Sequence, residues 1–243
     1  NDQFGIISES VKAFYDSMII GSDIHYLERD SDGYPAFTLK TNEKGISFFQ
    51  KLVSVMKTDP YMYFDDSKDI NTATNTIKFE NGNGLFMRTR TNYISNYRNM
   101  KDDFGILPIP KYDEKQERYI TNCGVGEIAV LPRSYDESRL DNVGILLEAM
   151  AFRSQQTVVP TYKEVLLQTK FTRDEESSKM LDIAFENRVF DYGDTILCEE
   201  FRDGVMRQAF AKDNRDIVST LTKVQNKVEK KLGTLNDAFG TLE

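Results

Sequence analysis

Near the end of the chain the apolar residues Ile217, Leu221, Val224, Val228 and Leu232 step by four, three, four and four. That spacing holds one stripe of an α-helix apolar and commits this region to a long amphipathic helix. The repeat is too short for a coiled coil, so the stripe is expected to dock on a sheet. The first half is patterned differently, with helical stripes interrupted by short apolar runs between turn formers. Val11, Phe14, Tyr15, Met18 and Ile19 follow Ser8, a good N-cap, and predict a helix ending near Gly21. Asp30 to Pro35 is dense in turn formers, and Phe37 and Leu39 then alternate with polar residues as a short strand. Thr41-Asn42 opens a second helix carrying Ile46, Phe49, Leu52, Val53 and Met56, which stops before Pro60.

The polar stretch from Asp65 to Thr76 reads as a loop or a weakly amphipathic helix. Phe79 to Gly84 marks a turn and Leu85-Phe86-Met87 a buried strand. Phe104 to Pro110 is strand-like but carries Pro108 and Pro110, which demote it to an edge or an exit from the sheet. Gly126 to Pro132 reads as a further strand. From Tyr135 onward helices dominate: Val143, Leu146, Leu147 and Met150 share one face, and Thr172 with Glu175 forms a capping box ahead of Met180, Leu181 and Ile183. Strands and helices alternating early, then helices late, give a mixed α/β fold, a mixed β-sheet flanked by helices with a helix-rich C-terminal half.

The 243 residues suffice for one large domain or two small lobes. With 31 Lys+Arg against 39 Asp+Glu the net charge is −8, and no basic stretch interrupts it, which argues against nucleic acid as a partner. The apolar runs, such as Ile145 to Leu147 and Ile128 to Leu131, fall far short of the ~20 residues of a membrane helix. Asn1 is followed by neither a basic n-region nor an apolar h-region. Cys123 and Cys198 have no CxxC or Cys/His spacing, so no metal site is expected; two buried free thiols are the reading, with a single disulfide as the alternative.

Catalytic spacings are missing too. His25 is the single histidine, and no Ser lies in a GxSxG elbow to use it. Asp65-Asp66 and Glu199-Glu200 are sequence neighbours that point apart on a strand or helix, and a solvated face is expected of them rather than a glycosidase pair. Asp30-x-Asp32-Gly33 lacks the closing Glu of a calcium loop, and Asn81 to Gly84 lacks the Lys-Ser/Thr of a phosphate cradle. No cofactor is expected.

Phe79-Glu80-Asn81-Gly82, then Asp103 to Asp113 with its Phe-Gly-x-x-Pro-x-Pro phrase, then Gly126-Glu127-Ile128-Ala129-Val130 stand in an order that resembles the second half of extracellular solute-binding proteins of the sugar-binding group. The resemblance continues through Leu147 to Ala151 and from Tyr162 to Asp191. It implies the second lobe of a type II periplasmic binding protein. Residues 1–121 and 183–243 would form that lobe, and 122–182 would be a crossover segment belonging to or facing the first lobe. Most of the first lobe would be missing, as in a fragment or truncated form. The implied function is non-enzymatic capture of a solute, a carbohydrate such as an oligosaccharide, by closure of two lobes, followed by delivery to the permease of an ABC importer. The implied setting is extracellular, either a lipoprotein on the outer face of the cytoplasmic membrane or a periplasmic monomer, touching membrane only through a lipid anchor outside this sequence. The alternatives are a glycan-acting hydrolase and a cell-surface structural or adhesion module.

The resemblance also places the ligand strand's exit at Arg88-Thr89-Arg90-Thr91-Asn92-Tyr93. Arg88, Thr89, Arg90, Asn92 and Tyr93 together offer donors, an acceptor and an aromatic face, the equipment of a sugar pocket. The two arginines could equally hold a carboxylate on an acidic sugar or peptide. The competing reading is an exposed polar turn. Tyr63, with Phe64 beside it, is a lesser candidate and fits packing better.

Overall fold

A computed structural model of the chain describes residues 3–64, 74–97, 99–124, 130–132, 136–168, 175–197, 199–211 and 216–240. The fold is mixed α/β. It begins with strand β1 (Phe4–Ser8), helix α1 (Val11–Gly21), the short hairpin β2 (Glu28–Arg29) and β3 (Pro35–Ala36), and a 3-10 turn at Leu39–Thr41. Helix α2 (Glu43–Thr58), β4 (Met62–Phe64), α3 (Thr74–Glu80), β5 (Gly84–Arg88) and a 3-10 turn at Thr91–Tyr97 follow. After β6 (Thr121–Asn122) come α4 (Leu140–Gln156), α5 (Val158–Gln168), α6 (Glu175–Glu186), β7 (Arg188–Val189) and α7 (Tyr192–Ile196). A π-helical segment, Glu199–Met206, leads through α8 (Arg207–Ala211) to α9 (Ile217–Gly240).

Three parallel strands in the order β4-β1-β5 form the main sheet, with Ile7 facing Tyr63 on one side and Met87 on the other. Helices cover both faces. Ile6, Met62 and Phe64 pack against a core built by Phe14, Tyr15 and Ile19 of α1, Phe49 and Val53 of α2, and Ile217, Leu221 and Val228 of α9. On the other face Ile7, fully buried, packs with Phe79 and Tyr97. A strand enclosed on both faces needs an apolar residue at every position, which is what Phe4-Gly5-Ile6-Ile7 supplies.

Several expectations hold and others shift. The second helix starts at its Asn42 cap, whose side chain accepts from the Gly45 amide at 2.9 Å, and the last helix buries Ile217, Leu221, Val228 and Leu232. The cap of α1 is Ser10, not Ser8, because pairing of Ser8 with Phe64 and Arg88 keeps it extended. Phe37 and Leu39 are not a strand; Leu39 begins a 3-10 turn and is buried against the core. Leu85 and Phe86 lie on a strand as expected but are 74% and 49% exposed. Residues 104–110 form no strand. Residues 125–129 and Thr172 lie outside the described residues. In α4 no residue is buried, and Val143, Leu146, Leu147 and Met150 therefore do not face this core.

Helix α1 ends in a Schellman arrangement: the Ile24 amide donates to the Ile19 carbonyl and the Asp23 amide to that of Ile20, with Asp23 at φ 56 where glycine is usual. The turn sets His25 against the buried Asp191, with Nδ1 2.7 Å from a carboxylate oxygen, while Nε2 lies 3.3 Å from Asp23. Asp191 in turn caps α7 by accepting from the Asp194 amide at 2.7 Å. Beside this lock Tyr26 stacks on Phe201 with ring centres 4.7 Å apart and gives its hydroxyl to Asp16. Gly193 lies so close that an added Cβ would sit 2.6 Å from Tyr26 Cβ.

Two outcomes follow. The Asp191 hydrogen bond raises the His25 pKa against the opposing effect of burial, with Asp191 and Asp23 charges assisting. The stabilisation is complete below the unfolded-state pKa of ~6.5 and is lost as pH rises through the raised folded value. Melting temperature should therefore decline from about pH 6 toward pH 8 by the equivalent of at most ~1 kcal/mol, since a third of the ring is in water, and His25→Gln should flatten the decline. Gly193→Ala should cost ~1–3 kcal/mol in denaturant titration, because Tyr26 Cβ is fixed to the backbone and cannot withdraw.

Candidate functional site

The chain leaves β1 through α1 and α2 to reach β4 on one side, and after α3 arrives at β5 on the other. A parallel sheet whose connections diverge from a central strand opens a crevice at the strands' carboxyl ends. The residues at that end are Ser8, Phe64 and Arg88, with Glu9 directly beyond β1.

Glu9 is the focus. Its carboxylate, 12% exposed, has the Arg88 guanidinium at 3.6 Å, the Arg90 Nε at 3.7 Å and the Thr89 hydroxyl at 3.4 Å. The Arg88 Nε donates to the Ser17 hydroxyl at 2.9 Å, and that hydroxyl donates to the Ala13 carbonyl. Arg88 Nη1 is buried and has no hydrogen-bond partner among the described residues. Burial lowers the Arg88 pKa, Glu9 opposes that shift and Arg90 adds to it. Both ion-pair distances exceed hydrogen-bond length, so the carboxylate and both guanidinium groups keep unused hydrogen-bonding capacity beside one another.

The expected site residues divide accordingly. Arg88, Thr89 and Arg90 converge on Glu9. Asn92 is exposed on the 3-10 turn, and Tyr93 is half-buried with the Arg90 guanidinium 5.7 Å from its ring centre. Tyr63 is a packing residue on β4, its ring centre 5.1 Å from that of Phe4 and the Lys78 ammonium 4.9 Å away. Glu9 and Ser17 were absent from the sequence-based set. The one available signal for Glu9 was its place between an apolar run and a helix cap.

Alongside β5 runs an apolar concavity of about 620 Å³. Leu85, Phe86 and Met87 form one wall and Phe104, Ile106 and Leu107 another, with Arg90 at one end and Asp102 and Asp103 at the other. The second acidic pair is not a solvated face: Glu199 is exposed, whereas Glu200 is buried and pairs with Lys227 at 3.1 Å and Lys231 at 3.4 Å. Asp65 and Asp66 lie outside the described residues, as does Cys198, while Cys123 is half-buried. Among the described residues no group of three His, Cys, Asp or Glu side chains could hold a metal ion, and no helix is long and apolar enough to cross a membrane. Comparison of the chain with protein-family models, with curated proteins and with solved structures finds no match.

Proposed function

We propose that this chain captures a small hydroxyl-rich solute, a carbohydrate, as one lobe of an extracellular solute-binding protein that serves an ABC importer, with no bond chemistry. The observation that carries this reading is the Glu9, Arg88 and Arg90 cluster at the carboxyl ends of the parallel strands. A carboxylate accepts hydrogen bonds from sugar hydroxyls, and guanidinium groups donate to them. Unused capacity on both, at the edge of a rigid sheet, is a preorganised polar patch. Glycoside hydrolysis needs a second carboxylate facing the first across one bond. The groups drawn up to Glu9 here are cations and a hydroxyl. The sheet order β4-β1-β5 with helices on both faces also fits the lobe named by the sequence resemblance. The exposed Ile145, Leu146, Met150 and Phe152 of α4 fit a crossover segment facing another lobe.

Solute binding should raise the melting temperature by mass action, so thermal shift against monosaccharides, oligosaccharides and uronic acids, followed by calorimetric titration, tests the reading. Glu9→Gln should weaken binding by roughly tenfold or more, about 1.4 kcal/mol, by replacing a charged acceptor with a neutral one. Release of reducing sugar from any glycan, abolished by the same substitution, would replace capture with hydrolysis.

A further inference from the structure

Strand β5 is one edge of the main sheet, and it exposes side chains where a parallel strand ordinarily has both faces covered. Its outer side faces the groove, whose far side carries Leu181 and Ala184 of α6, and among the described residues no strand pairs with it. Leu85 is 74% exposed and Phe86 49% exposed. Among the described residues no backbone hydrogen bond joins Gly84–Arg88 to residues 103–110, which form the facing wall of the groove. That wall is held from behind, since the Ile106 amide donates to the Ser177 hydroxyl of α6 at 3.1 Å, and Pro108 and Pro110 have no amide to offer. The segment lines the groove without closing the ladder, and among the described residues the outer backbone edge of β5 pairs with no strand.

We infer that this groove accepts an extended polypeptide strand, which adds to the free edge of β5 and buries Leu85 and Phe86. The occupant is a segment of about five residues, since β5 has five, with small apolar side chains, a basic residue at one end and an acidic one at the other. Charge sets that requirement. Asp102 and Asp103 lie at the end of the groove where β5 begins, with Asp102 beside Gly82, while Arg90 stands two residues past the end of β5. The strand's base therefore meets the two aspartates and its acid meets Arg90. The apolar walls and the unpaired edge demand backbone pairing and apolar side chains together, which a compact sugar does not provide. The inference shares Arg90 with the solute-capture reading but does not use Glu9, the focus of that reading.

The test uses two capped hexapeptides of alternating valine and threonine, one running from lysine to glutamate and the other from glutamate to lysine, titrated into the 243-residue chain. At least one order should bind, shifting the amide resonances of Gly84–Arg88 and slowing their hydrogen exchange. The same peptide N-methylated at alternate residues, which cannot form a ladder, should bind at least tenfold more weakly. Leu85→Lys, a change at an exposed position, should abolish peptide binding while leaving the melting temperature unchanged. Glu9→Gln should leave peptide binding intact, so failure here and failure of solute capture are separable. Equal binding of the N-methylated peptide would show an apolar ligand pocket instead of strand addition and overturn the inference. Absence of binding by both orders would also overturn it, as would concentration-dependent dimerisation through β5 seen by sedimentation, because the occupant would then be a second copy.

Discussion

Everything in this fold is referred to one strand. β1 is paired on both edges and covered on both faces, so its side chains meet the core cluster that includes α1 in one direction and Phe79 of α3 in the other. Burying an isoleucine fully is worth ~1.5–3 kcal/mol, and Ile7 does so in the smaller apolar cluster, while Ile6 packs against the larger one. Because the strand is held on four sides, the point where it ends is fixed as well. Glu9 emerges there with little freedom, and Arg88 at the end of β5 and Arg90 just past it reach it through the ladder that aligns Ser8 with Arg88. The polar cluster is therefore positioned by apolar packing a few residues away.

The parts of the fold legible in the sequence are those with a helical period. The second helix and the last one follow their apolar stripes, because each is buried on one side only. β1 was not legible as a strand. A strand buried on both faces shows a continuous apolar run, and four such residues near the start of the chain carry no alternation to betray them. β5 was legible as a strand but not as an edge, since nothing local distinguishes Leu85 in a core from Leu85 in water. The arginines of the candidate site were found through a resemblance. Glu9 was missed because its role depends on Arg88, some eighty residues away. The same holds for Glu200, a surface-looking acid that two lysines of α9 draw inside.

Polar contacts of long sequence reach tie the remaining pieces to this centre. His25 and Asp191 join the turn after α1 to the cap of α7, and Gln116 donates to the Gly21 carbonyl at 2.8 Å, fastening the segment before β6 to the end of α1. Each is buried or half-buried, and each uses a group that could not remain unpaired there without cost. They specify which surfaces meet, while the apolar core supplies most of the driving force.

The two-residue strands β6 and β7 run side by side, Thr121 against Arg188 and Asn122 against Val189. Between them α6 comes back to the body, where Leu181 and Ser177 are buried and the Ser177 hydroxyl accepts from the Ile106 amide at 3.1 Å. Tyr162 of α5 meets α6 with its ring centre 6.3 Å from that of Phe185. The α4–α5 pair is thereby braced against a helix that is itself anchored, while the apolar residues of α4 stay outside the core.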